Sequence, residues 1–269
     1  SPEQEVALAF AYNRWLCEEV LSGDDRLTAL IYLPFNDPDA SLRTVEEFAG
    51  KSGVAGFNIT SVRHKPVHHN QYMKVYAAIE ETGMPLGFHA GPTWDDQWMR
   101  QIDRFIGVHA LSFVLCNMVH LTNWVLQGLP ERFPNLNVVW IESGVAWVPF
   151  MMQRLDNEFL MRSSEAPMLK KLPSDYIRDM YFTSQPLERH DMKLMQASFE
   201  AMNAETQLFM LRIGRIGTLI RRPRFGIYRS STRRPSATSS AATPTESLVL
   251  RPNNRPNRQR SKSTGHQPR

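Results

Sequence analysis

The sequence predicts an α/β fold organised on a parallel sheet. Short runs rich in apolar and β-branched residues recur between longer segments with helical spacing. No Asn-Gly or Asp-Gly turn joins successive runs into hairpins. Strands that alternate with helices favour a barrel or a doubly wound sheet over an all-β architecture. No Gly-x-Gly-x-x-Gly or Gly-x-x-x-x-Gly-Lys-Ser/Thr follows a strand, which lowers a nucleotide-binding reading.

The first helix is expected over Glu3–Leu21, with apolar residues at Val6, Leu8, Phe10, Trp15, Leu16 and Val20. A strand follows at Leu27–Leu33, then a helix at Leu42–Ala49 with Asp39 and Ser41 as candidate caps and Gly50 as its stop. Strand Val54–Ile59 leads to helix Gln71–Glu81, which ends at Gly83, and strand Met84–His89 comes next. A long helix runs from Phe105 to Gln127 and stops at Gly128. His109, Phe113, Asn117 and His120 lie three to four residues apart and therefore share one of its faces. Strand Asn137–Ile141, helix Val145–Phe159, strand Met180–Thr183, helix Asp191–Met202 and strand Gln207–Met210 complete the series.

With 269 residues, 42% of them hydrophobic, the chain has material for one large core. No run of eighteen apolar residues is read, and the first residues lack the basic start and apolar stretch of a secretory signal, so a soluble, cytoplasmic protein is expected. Cys17 and Cys116 are far apart and read as buried thiols. The net charge of +4 averages two unlike regions. Residues 211–269 hold thirteen Arg, one Lys and the single acid Glu246, leaving 17 basic and 26 acidic residues in the rest. A boundary is therefore expected near residue 210, followed by a disordered Arg/Ser/Pro-rich tail. Such a tail suits nucleic acid or another anionic surface, but it has few aromatics to stack bases, and nucleic acid is not the favoured partner.

In parallel α/β folds the functional groups gather at the C-terminal strand ends. His89 stands at one, after Leu86-Gly87-Phe88 and before the small residues Ala90-Gly91. It is either a core histidine or a ligand. Glu142 closes another strand, Val139-Trp140-Ile141, where a carboxylate ligates a metal, orients a histidine, moves a proton or simply makes a stabilising ion pair. His109 and His120 are further candidates from the shared helix face. His64, His68 and His69 form the densest histidine cluster, on a proline-containing segment expected to be an exposed loop.

Gly87-Phe88-His89-Ala90-Gly91, the long segment from Gly128 to Gly144, Trp147-Val148-Pro149 and Arg154-Leu155-Asp156 together resemble the amidohydrolase-related family that includes aminocarboxymuconate-semialdehyde decarboxylase. The resemblance covers about residues 5 to 210. It implies a (β/α)₈ TIM-type barrel with one divalent metal, zinc or manganese, that serves hydrolysis, hydration or non-oxidative decarboxylation of a small carboxylate substrate. It also implies His89 as the metal's middle-strand histidine, with Glu142, His109 and His120 as candidate catalytic residues. The family's His-x-His of the first strand does not occur in the sequence, and relatives often carry a histidine where Glu142 stands. An incomplete barrel over residues 1–210, lacking its first strand and so with two unpaired sheet edges, is expected. Oligomeric state is left open, no membrane partner is expected, and the alternative to an enzyme is a non-catalytic protein that binds through its basic tail.

The family's last strand leads into Ser-Asp-Trp-Pro-His-Trp-Asp, which carries the final metal-binding Asp, whereas here Leu208-Phe209-Met210 runs into Leu211-Arg212-Ile213-Gly214. Joining the third base of each codon to the first two of the next gives a frame that, from Phe209 onward, permits Tyr-Ala-Ser-Asp-Trp-Pro-His-Trp-Asp-Phe-Asp-Thr-Pro. Codons Arg212-Ile213 give GAT and Ile213-Gly214 give TGG in that frame. The tail is therefore expected to be out-of-frame translation from about residue 209, by a frameshift whose shifted codons account for its arginine and serine content.

Overall fold

The computed structural model describes residues 1–60, 65–91, 96–188, 190–202, 208–209 and 219–221, the last two stretches as backbone only. Ser1–Arg229 form one compact unit. Among the described residues the fold is a parallel α/β sheet of the (β/α)₈ barrel type, incomplete, with six parallel strands and helices between them.

Helix α1 spans Pro2–Trp15 and is continued by a π turn, Leu16–Val20, and a 3₁₀ turn, Leu21–Gly23. The predicted single helix thus widens at its end. The wider turn places Leu16, Cys17 and Leu21 together in the core, with the Leu21 N–H donating to the Leu16 carbonyl. After β1 (Leu27–Tyr32), α2 spans Pro38–Phe48. It starts four residues before the predicted Leu42, because Asp37 caps it by accepting the Ala40 N–H at 2.9 Å and Pro38 fills the first turn. β2 (Val54–Ile59) leads through a 3₁₀ turn to α3 (Met73–Thr82), which Gly83 closes at φ 68°, and β3 is Leu86–His89.

The long helix α4, Phe105–Leu126, is present as expected, and Gly128 follows it at φ 69°. It is long and apolar enough, by length and composition, to cross a membrane, although His109, Ser112, Asn117, His120, Thr122 and Asn123 keep it from being an unbroken apolar run. One face, including Val108, Cys116, Asn117, Leu121 and Trp124, is buried in the protein, while Ile106, Leu111 and Val119 are exposed. A single-turn helix α5 (Leu129–Arg132) precedes β4 (Val138–Ile141). Then come α6 (Trp147–Arg162), the short α7 (Pro173–Arg178), β5 (Tyr181–Thr183), α8 (Met192–Met202), β6 (Leu208–Phe209) and β7 (Leu219–Arg221).

The strand order is β6-β5-β4-β3-β2-β1-β7, parallel from β1 to β6. Ile59, Phe88, Trp140, Phe182 and Leu208 lie level across it. Phe88 stacks on Trp140, ring centres 4.8 Å apart, and meets Trp124 of α4 edge-on, so this row faces the helices. The alternate row points the other way: a Cβ at Gly87 would meet Leu30, Asn58 and Ile141 side chains. That second face is the barrel interior, and His89 belongs to it by alternation from Gly87.

The edge of β1 departs from the expectation of an unpaired strand. β7 pairs with it antiparallel, from Leu27 opposite Arg221 to Ala29 opposite Leu219. Further along, the fully buried Asn13 of α1 donates Nδ2 to the Tyr32 carbonyl at 2.9 Å and accepts the Tyr32 N–H at 3.1 Å. One side-chain amide thereby takes the place of a strand partner.

Candidate functional site at the strand mouths

His89 ends β3, and Glu142 directly follows β4, its neighbour in the sheet. Their side chains meet: His89 Nε2 lies 2.7 Å from Glu142 Oε2, both groups partly open to solvent at 20% and 31% exposure. Strict alternation from the inward Ile141 would turn Glu142 toward the helices. The backbone instead enters the left-handed region at Glu142, φ 55°, and is the one described non-glycine residue to do so. This conformation costs about 1–2 kcal/mol for a residue with a Cβ, and its outcome here is a carboxylate against His89.

The surroundings hold that turn. Glu142 donates its backbone N–H to Thr183 Oγ1 on β5 at 3.0 Å. Gly144 repeats the left-handed conformation at φ 67°, and a Cβ there would lie 2.0 Å from Glu188 Oε1. The Glu188 carboxylate accepts the Val145 N–H at 3.3 Å beside the start of α6, where helix-end N–H groups favour negative charge. Trp147 Nε1 donates to the Gly144 carbonyl at 3.0 Å.

Of the four candidates from the sequence, two are brought together. His109 is exposed and stands one ring removed: it packs on Phe113 (5.4 Å), which packs on His89 (6.4 Å). His120 is buried and packs on Phe88 at 5.7 Å, in the layer between α4 and the sheet. Sharing a helix face therefore did not mean sharing the site, because His120 packs on the outward Phe88 while His109 near the start of the helix is exposed. His64 lies outside the described residues. His68 and His69 are half-buried, not exposed as expected, and His69 Nδ1 accepts the Gln71 N–H at 3.3 Å. Burial, with a smaller contribution from the neighbouring His69, holds the His68 imidazole below the usual histidine range. Cys17 and Cys116 are buried free thiols, as expected. Thr183 and Asn117 were missed as site residues; Asn117 had been placed only on the α4 face and Thr183 only at a strand end.

An imidazole nitrogen and a carboxylate oxygen side by side are a donor pair suited to zinc or manganese, and equally a pair that holds and transfers a proton. Among the described residues no third His, Cys, Asp or Glu joins them. The pair fits a divalent cation as two ligands of a larger set.

The family model described as Amidohydrolase matches residues 2–204. The chain belongs to the amidohydrolase family. Within this family, the gamma-resorcylate decarboxylase of Rhizobium radiobacter is 25% identical over 166 residues, 58% of this chain and 50% of that protein. The amidohydrolase chain thus spans about half the length of the curated relatives it matches. Two solved structures share the fold. The 5-carboxyvanillate decarboxylase of Sphingomonas paucimobilis superposes with a TM-score of 0.63 at 24% identity, over 78% of this chain and 63% of its own. The enzyme of the same name from Novosphingobium aromaticivorans, crystallised with bound manganese, gives 0.67 at 18% identity over 81% and 64%.

Proposed function

We propose that this amidohydrolase is a metal-dependent hydrolase or non-oxidative decarboxylase of a small aromatic carboxylate. The observation that carries the proposal is the 2.7 Å pairing of His89 Nε2 with the left-handed Glu142 at adjoining C-terminal strand ends. Relatives named for the decarboxylation of resorcylate and carboxyvanillate support the substrate class. His89 is the proposed metal ligand, and a divalent cation, zinc or manganese, would supply positive charge to polarise the substrate carboxylate. The Glu142 carboxylate lies 2.7 Å from His89 Nε2 and is placed to take or return a proton beside the reacting carboxylate. Phe113 covers one flank of the His89 ring and limits water there, and the exposed His109 beyond it lies at the rim.

In its present form the chain is proposed to be inactive, because among the described residues only His89 and Glu142 come together as donors and two donors do not make a full ligand set. Residues from about 209 onward are proposed to be translated out of frame. The match of the alternative frame to the family's Ser-Asp-Trp-Pro-His-Trp-Asp motif supports that assignment.

Assay of carbon dioxide release from 2,6-dihydroxybenzoate and 5-carboxyvanillate, with manganese, in a protein repaired at both ends, with the alternative frame restored after Leu208 and a first strand carrying the family's His-x-His supplied, tests the function. Turnover that His89→Gln abolishes is expected. A protein so repaired that binds no divalent metal contradicts the proposal.

A further inference from the structure

The buried amide of Asn117 on α4 sits behind the two strand ends that carry His89 and Glu142. Its Nδ2 lies 3.2 Å from the Ile141 carbonyl, 3.0 Å from Ser143 Oγ and 3.5 Å from the Phe88 carbonyl. Its Oδ1 is buried with no hydrogen-bond partner. The position therefore uses the donor end of the amide and tolerates the loss of the acceptor end, an arrangement that costs free energy unless the donor end is needed.

The acceptors are informative. The Ile141 carbonyl belongs to the peptide whose N–H is that of Glu142, and this N–H donates to Thr183 Oγ1 at 3.0 Å. One peptide plane is thus held at both ends, from α4 on one side and from β5 on the other. That plane sets the φ of 55° at Glu142. The Phe88 carbonyl likewise belongs to the peptide that precedes His89, so one amide registers both strand ends against the same helix. A left-handed non-glycine residue persists only where its surroundings over-determine it, and Asn117 and Thr183 are the groups that do so.

We infer that Asn117 and Thr183 are positioning residues: they hold the 141–142 peptide in the left-handed turn that aims Glu142 at His89. Neither touches the His89 imidazole; both act through the backbone. The inference rests on the assignment of His89 and Glu142 as the functional pair.

The test is hydrogen exchange of the His89 Nε2–H, followed by nuclear magnetic resonance in chain labelled with ¹⁵N-histidine, without metal or substrate. The signal is assigned among the eight histidines by its loss in His89→Gln. Thr183→Val, which keeps shape and removes the hydroxyl, and Asn117→Leu are each expected to speed this exchange by roughly tenfold, the factor set by the cost of a left-handed residue. Thr183→Ser, which restores the hydroxyl, should exchange as the unsubstituted protein does. Near-ultraviolet circular dichroism reports whether each variant is folded; should Asn117→Leu not fold, the Thr183 pair decides alone. Unchanged exchange in folded Thr183→Val overturns the inference, as does equal acceleration in Thr183→Ser, which would assign the effect to packing. An unsubstituted protein with no protected His89 Nε2–H also overturns it. Because neither metal nor turnover enters the readout, failure of the decarboxylase proposal leaves this result standing, and the converse holds.

Discussion

Glu142 reaches Nε2 of His89 across 2.7 Å from a backbone with φ of 55°, so this polar pairing at the strand mouths depends on a conformation that side chains normally avoid. At an ordinary strand position glycine is less stable than alanine. Here the order should invert. Glu142→Gly relieves the left-handed strain that Glu142→Ala retains, so the glycine variant is expected to be the more stable by about 1 kcal/mol. Thermal unfolding of the two variants side by side measures this; a more stable alanine variant would mean that the turn is unstrained.

Asn13 offers a second stability test. Its amide satisfies both the N–H and the carbonyl of Tyr32 on the edge of β1, and it is fully buried. Asn13→Ala leaves two backbone groups unpaired and is expected to cost about 2–4 kcal/mol in urea unfolding. A loss below about 0.5 kcal/mol would show that water or the chain replaces the amide without difficulty.

Gly56 marks a close approach between strands. A Cβ there would lie 2.6 Å from the Pro85 carbonyl oxygen, a backbone atom that cannot swing aside, and 2.9 Å from Pro85 Cγ. Gly56→Ala is expected to destabilise the protein by about 2 kcal/mol or more by forcing β2 away from β3. Unchanged denaturant midpoints would contradict the observed spacing.

Beside the fully buried Tyr76, whose phenol burial raises well above its ordinary value, Tyr32 and Tyr72 contribute to the loss of stability at alkaline pH. Burial pushes both phenols up to about 12, helped at Tyr32 by the hydrogen bond its hydroxyl donates to Glu5 at 2.8 Å and at Tyr72 by the charge of Glu5. A folded-state value above the unfolded value near 10 means that the contribution is fully present below pH about 10 and is lost as pH rises toward 12. Stability is therefore expected to fall across that window, and Tyr72→Phe should flatten the fall. An equally steep fall in Tyr72→Phe would place the alkaline limit elsewhere.

Most of the sheet was legible from sequence because its strands are short apolar runs bounded by Gly, Pro and Asn, and each predicted run contains the observed strand. The His89 and Glu142 strand ends were legible for the same reason. Their mutual approach was not, since it depends on one backbone angle at Glu142 that neither periodicity nor composition encodes. His120 shows the opposite failure. Helical spacing grouped it with Asn117, but the residues of one face meet different layers of the sheet: Asn117 reaches backbone at the strand ends and His120 packs on Phe88. The pairing of β7 with β1 was also beyond the sequence, as Leu219–Arg221 lies in a stretch whose composition argues for no regular structure.

The proposed change of frame makes a prediction about nucleic acid and not about the protein. Sequencing the coding DNA is expected to show that the bases straddling codons 209–222 spell Tyr-Ala-Ser-Asp-Trp-Pro-His-Trp-Asp-Phe-Asp-Thr-Pro in the shifted frame. Synonymous codons that break this series, above all at Arg212-Ile213 and Ile213-Gly214, would remove the frameshift from the account.

Calorimetric titration of manganese into the protein repaired at both ends, its frame restored and the His-x-His strand supplied, with and without His89→Gln, addresses the site itself. The account predicts stoichiometric binding that Glu142→Gln weakens by about 10–100-fold and that His89→Gln abolishes. Binding that survives His89→Gln unchanged, or no binding at all, would contradict a metal centre at His89.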